Sequence, residues 1–138
     1  MTILDKDRWV EELKKIIEEY TAKMPVYFHP SCYKELMRLL VASGSEMMFL
    51  KKLNEYLATI CSNQDTFTSS NGMEKLKGCV DVYSMRFKIA NKNIRILFTL
   101  CDGCLLALTA FHERYGKGVS SYEPYISVAN TRLRDMTE

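Results

Sequence analysis

No stretch of the sequence approaches the roughly 18 uninterrupted apolar residues of a membrane-crossing helix, so a membrane-spanning reading has no segment to rest on. The opening residues, Met1 to Trp9, carry Asp5, Lys6, Asp7 and Arg8 and lack the apolar run of a secretion signal. Cysteine occurs five times (Cys32, Cys61, Cys79, Cys101, Cys104), an odd number scattered without a framework. That excludes a disulfide-stapled scaffold and points to reduced thiols in a cytoplasmic setting. Neither basic nor acidic residues dominate, with 19 Lys+Arg against 17 Asp+Glu. With a net charge of +2, bulk electrostatics names no partner, and only the local arrangement of cations can. No internal repeat is visible, which excludes a solenoid.

What is present is an ordinary globular composition. The 138 residues are 47% hydrophobic and 26% charged, enough for one domain to bury a core without disulfides or metal. Asp5 to Lys23 predicts an amphipathic helix, with Trp9, Leu13, Ile16, Ile17 and Tyr20 at helical spacing, and Pro25 ends it. This N-terminal helix, residues 1–24, is expected to pack on a domain spanning 25–138. Core packing is its first reading, with a dimer contact or a partner-docking face as the others. Val26 to His29 reads as a short strand. Ser31 is the expected N-cap of a helix to about Ala42, with Tyr33, Leu36, Met37 and Leu40 inward. Gly44 breaks it, and a further helix runs from about Ser45 to Ile60 on Met47, Leu50, Leu53, Leu57 and Ile60. Asn63 to Gly72 is polar and turn-rich, the signature of a mobile loop.

Three strands follow, at about Val80 to Ala90, Ile94 to Cys101 and Cys104 to His112. A loop from Glu113 to Ser121 leads to a last helix, Tyr122 to Met136, with Ile126, Ala129 and Leu133 inward. The expected fold class is α+β: an antiparallel sheet of about four strands, N-terminal helices packed on one face, and a C-terminal helix.

Side chains alternate between faces along a strand, so register decides which residues meet. An Asn91-Lys92 turn would pair Ile89 with Ile94 and set Lys88 opposite Arg95. The Asp102-Gly103 turn, a strong hairpin signal, would pair Leu100 with Leu105 and Arg95 with Ala110. His112 would then share the Arg95 face. One end of that face carries Arg86, Lys88, Arg95 and His112; the other carries Leu97, Leu106 and Leu108, to be covered by the closing helix or a partner. Opposed cations cost a few tenths of a kcal/mol. They persist readily where an anion bridges them, and otherwise splay into water. Arg114 and Lys117 beyond the last strand add weight to an anion site.

Two other signals read as structural. Cys101-Asp102-Gly103-Cys104 has C-x-x-C spacing, but zinc needs four ligands and no second pair matches. Redox motifs of this spacing open helices, and this one flanks a hairpin turn. His29, before Pro30 at a strand end, reads as structural too.

The order of short motifs resembles the RelE/HigB family of toxins. Val26-Tyr27-Phe28-His29-Pro30-Ser31 followed by Tyr33-Lys34-Glu35-Leu36 looks like the family's first strand and helix. Met73 to Gly78 is similar to its K-L-(K/R)-G segment, and Tyr83-Ser84-Met85-Arg86 to its Y-x-x-R. Asn93-Ile94-Arg95-Ile96-Leu97-Phe98 resembles Y-R-(I/L)-(L/I/V)-(Y/F), and Phe111-His112-Glu113-Arg114 stands where relatives carry F-x-K-K. Ala129 with Arg132 looks like the A-x-x-R of the terminal helix. The resemblance spans about Pro25 to Met136.

It implies a ribosome-associated messenger-RNA endoribonuclease silenced by a cognate antitoxin protein, without metal or cofactor. The 2′-hydroxyl attacks its own adjacent phosphate, and the enzyme supplies position and charge. Arg95 would bind phosphate and Arg86 would be the second sheet arginine. Lys75 and Lys77 would lie in the basic segment that touches RNA, Lys88 beside them on the sheet, and Arg114 or Lys117 would fill the basic position after the strand. His112 or Glu113 would act as general base or acid, and Tyr122 or Tyr125 would stack on a base. Many members are strongly basic, and this chain is not. Two alternatives stand beside this reading: a ParE-like protein that poisons DNA gyrase, and a non-catalytic relative that binds an acidic partner protein.

Overall fold

Apolar spacing of three and four residues builds helices in the first half of the chain, and alternation builds strands in the second. The computed structural model describes residues 6–41, 43–69, 72–76, 81–89, 92–113 and 123–138. Helix α1 (Lys6–Tyr20) precedes strand β1 (Val26–Phe28), α2 (Pro30–Leu40) and α3 (Glu46–Ser62). A 3-10 turn at Phe67–Ser69 leads to β2 (Met73–Lys75), then β3 (Tyr83–Ile89), β4 (Lys92–Cys101), β5 (Cys104–Glu113) and α4 (Glu123–Thr137). The class is α+β. The sheet is not antiparallel with about four strands: it has five, ordered β1-β5-β4-β3-β2, and it is mixed because β1 runs parallel to β5. The added strand is β2, which pairs with β3 at the edge. The equally short β1 shows as a strand through Val26, Tyr27 and Phe28, but β2 carries Glu74 and Lys75 beside a single apolar residue, so pattern reading passes over it.

Helices α1, α2 and α3 share one core with one sheet face, built on Trp9, Leu36, Leu40, Phe49, Phe87 and Phe98. Trp9 meets Phe49 at 6.2 Å between ring centroids, and Phe49 meets Phe87 at 4.6 Å, which locks α1 to the sheet through α3. Met47, expected inward, is half exposed; Phe49 takes the core position in phase with Leu53, Tyr56 and Ile60. The polar stretch after α3 is pinned rather than free, because Phe67 is buried between the rings of Tyr83 (5.0 Å) and Phe98 (6.0 Å). The N-cap of α2 is His29 and not Ser31. Its Nδ1 accepts the Ser31 N–H at 3.0 Å, and Pro30 follows at the first turn, where a missing N–H costs nothing.

The second sheet face is covered as well. Ala129, Ile126 and Leu133 of α4 close over Leu97, Leu106 and Leu108, so the closing helix is the cover for that apolar patch.

One ion pair ties these layers. β1 stops at Phe28, opposite Ala107, leaving the next stretch of β5 without a neighbouring strand. Glu35 of α2 fills the gap: its Oε1 accepts the Ala110 N–H at 3.1 Å and the Thr109 hydroxyl at 3.0 Å. Arg132 of α4 donates to the Leu108 carbonyl at 3.0 Å and grips Glu35 through both nitrogens, at 2.7 and 3.0 Å. Burial alone would raise the Glu35 pKa, but the bonds from Arg132, Ala110 and Thr109 together outweigh it and hold the carboxyl below its ordinary range.

Replacing Arg132 with alanine should destabilise the fold by about 2–3 kcal/mol in urea unfolding, because a part-buried carboxylate loses its cation. Since the folded pKa lies below the unfolded value of 4.5, the Glu35 contribution is complete above that value and drains as pH falls through the folded pKa. The Glu35→Gln variant should therefore start less stable at neutral pH and lose less on acidification. Unfolding curves recorded from pH 6 down to pH 3 check the sign.

Candidate anion-binding site

Register builds the site. Ile89 pairs with Lys92, two residues away from the expected pairing, so Arg86 stands opposite Arg95 and Lys88 opposite Asn93. A shift of two preserves faces, and Arg86, Lys88 and Arg95 stay on one side of the sheet. The Arg86 N–H goes to the Gly72 carbonyl (2.8 Å), and its own carbonyl accepts the Tyr56 hydroxyl. Both bonds point away from β4, so Arg86 and Arg95 form the non-hydrogen-bonded type of pair, in which side chains approach most closely. Gly72 holds a positive φ of 97°, and the Tyr56 hydroxyl occupies the space where a Cβ would project. Burial raises the Tyr56 pKa and outweighs the pull of Arg86 and Arg95, which keeps the phenol protonated as a donor.

The second hairpin departs by one residue. The Asp102-Gly103 turn pairs Leu100 with Leu105 as expected, but a bulge between Leu97 and Phe98 leaves Leu108 as an extra residue on β5. Beyond it every side chain changes face. Phe111, not Ala110, stands opposite Arg95, and His112 pairs with Ile94 on the side of the helical core. His112 is thus not on the Arg95 face. Glu113 takes that face instead, and its Oε1 accepts from Arg95 Nε at 3.2 Å.

Arg95 is 8% exposed. Besides Glu113 it meets the Ser84 hydroxyl at 3.2 Å and the carboxylate of Glu74 on β2 at 3.4 Å. Tyr125 stacks flat on Phe111, 3.7 Å between centroids and 4° between planes, so one face of its ring is spent on packing. Lys75 and Lys88 are exposed; Lys75 lies on β2, at the edge of the sheet. Lys77, Arg114, Lys117 and Tyr122 lie outside the described residues.

Arg86 is the hinge of what remains. It lines a cleft of about 100 Å³ with Gly72, Glu74 and Arg95. It also lines a groove of about 460 Å³ between α3 and the edge of β3, with Lys51, Lys52, Glu55, Tyr56 and Lys88. Arg86 makes no ion pair with another described residue. Sequence reading missed Lys51 and Lys52, because two lysines on a helix look like any solvated face. Only the packing of α3 beside β3 gives them a target. Among the described residues no three His, Cys, Asp or Glu side chains gather as metal ligands, and no helix is long and apolar enough to cross a membrane.

No protein-family model, no curated protein and no solved structure matches the chain.

The two residues expected to act together should separate in unfolding experiments. Arg95→Met should cost about 2–3 kcal/mol, since it withdraws a buried cation from two carboxylates. His112→Ala, at a half-exposed position on the other face, should stay within about 1 kcal/mol of the parent protein.

Proposed function

We propose that this protein binds the phosphate backbone of RNA along the groove between α3 and β3, acting on messenger RNA as a RelE/HigB-like toxin. The carrying observation is the convergence of Lys51, Lys52, Arg86 and Lys88 on one groove, with Glu55 as the carboxylate among its lining residues. A chain of modest net charge can still hold a polyanion when its cations gather this way. Met48, half exposed, lines the same groove and gives a base face an apolar surface to rest on.

Cleavage is the further step the resemblance implies: the ribose 2′-oxygen closes on the adjacent phosphorus and charge grows on the phosphate oxygens. Arg86 is the cation suited to meet that charge, because it faces both groove and cleft without a carboxylate mate among the described residues. Arg95, held by Glu74 and Glu113, braces the sheet beneath it. A cognate antitoxin would silence the protein by claiming the same cations.

A second reading, binding of an acidic partner protein without cleavage, draws on the neutralised Arg95 and the opposite-facing His112.

Fluorescence anisotropy with labelled single-stranded RNA tests the binding. The Lys52→Ala/Arg86→Ala double variant should lose at least about tenfold in affinity, and its log–log salt slope should be shallower by about 1.4, for two lost phosphate contacts. Equal affinity and equal slope would remove the proposal. Mapping message ends in translating cells after induction separates the two readings: new ends with the parent protein and none with Arg86→Ala support cutting, while RNA binding without new ends favours the partner-binding role.

A further inference from the structure

The two cysteines of the β4–β5 turn face each other. Cys101 ends β4, Cys104 begins β5, and they are direct partners across the two-residue turn. Asp102 (φ 52°) and Gly103 (φ 78°) both adopt the left-handed backbone of the tight hairpin turn that matches strand twist. We infer that Cys101 and Cys104 are a two-thiol modification site, which closes to an intramolecular disulfide by exchange with a small disulfide such as oxidised glutathione.

Distance, exposure and surroundings support this. Directly opposed strand residues hold their Cβ atoms about 4.5–5.5 Å apart. A disulfide asks for about 3.5–4.5 Å, with Cα atoms about 4.4–6.8 Å apart, so closure needs only a small pinch at the tip of a hairpin. The sulfurs already gather on one residue: Cys101 Sγ lies 3.8 Å from Asp102 Oδ2, and Cys104 Sγ lies 3.8 Å from the Asp102 carbonyl. Both are half exposed, whereas Cys32 is buried in the main core and burial drives its thiol far up. Cys61 sits on α3, remote in sequence from the others, and burial raises its thiol too.

The chemistry balances in two steps. A thiolate of one cysteine attacks the S–S bond of the small disulfide, forming a mixed disulfide and releasing one small thiol. The second cysteine then attacks the protein sulfur of that adduct, forming the Cys101–Cys104 bond and releasing the other small thiol. Two electrons pass from the protein to the reagent, and the two cysteine protons end on the released thiols. Asp102 restrains the first step. Desolvation at the turn and, next, the Asp102 carboxylate both raise the Cys101 thiol, so little thiolate is present at neutral pH. Both cysteines also pack against the cluster of core residues that includes Ala129 of α4.

The test treats the native full-length protein with oxidised glutathione, alkylates the remaining thiols, and maps peptides by mass. The dominant product should be a linked Cys101–Cys104 peptide, with Cys32 alkylated only after denaturation. Cys104→Ser should keep glutathione on Cys101, since the resolving thiol is gone. Asp102→Asn should close about three- to tenfold faster, reporting the lifted restraint. A parent protein that keeps glutathione at both positions, or reacts at neither, overturns the inference. An Asp102→Asn variant no faster than the parent overturns the role given to Asp102.

Discussion

The fold depends on one ion pair doing the work of a missing strand segment. A strand of three residues cannot cover the flank of a strand of ten, and the exposed N–H and C=O groups of β5 need partners once α2 and α4 close over them. Glu35 and Arg132 meet both needs from opposite layers, one accepting from Ala110 and the other donating to Leu108. Because each also grips the other, the helix in front of the sheet and the helix behind it are fastened through the edge between them. His29 adds a second tie, its Nε2 lying 3.2 Å from the Asp135 carboxylate. The position of α4, and with it the depth at which Arg95 lies, follows from this clasp.

That clasp explains why the sheet does not present the bare cationic face that alternation alone suggests. With α4 seated, Phe111 is stacked by Tyr125 and the surface beside Arg95 is largely closed. The accessible cations lie toward the other edge, where β2 ends and α3 approaches. Electrostatics there is distributed over a helix and a strand that are distant in sequence, which is how a chain with little excess charge can still offer an anion a concentrated surface.

Long periodic segments were legible from residue spacing. All four helices appear within a few residues of where apolar periodicity places them, and the Asp102-Gly103 turn closes its hairpin in the expected register. Shorter-range features were not legible. β2 is brief and carries a single apolar residue, and the capping role of His29 depends on a ring nitrogen that residue type alone does not announce. The site suffered most, because its composition hangs on parity. A two-residue slip between β3 and β4 exchanged Lys88 for Arg86 as the partner of Arg95 without harm to the face. A one-residue bulge between β4 and β5 exchanged His112 for Glu113, the other candidate proton carrier, which here pairs with Arg95. Bulges leave no reliable composition signal, and Leu108 only continues the apolar run of Leu105, Leu106 and Ala107.

The standing of Leu108 outside the ladder therefore decides which chemistry the end of β5 shows to Arg95. Drawing Leu108 into the ladder opposite Leu97 would turn the terminal segment over, bringing an imidazole to the guanidinium's face and sending the glutamate to the helical side. Loss of that single codon, by contrast, would leave Thr109, Phe111 and Glu113 opposite their present partners. The re-pairing would push Phe111 inward opposite Ile94 and leave Ala110 opposite Arg95, where Phe111 now meets Tyr125, so the swap carries a packing penalty on both faces at once. Whether one residue of β5 stands in or out of the ladder, more than the identity of any side chain on it, thus separates an arginine clamped by a carboxylate from one facing an imidazole.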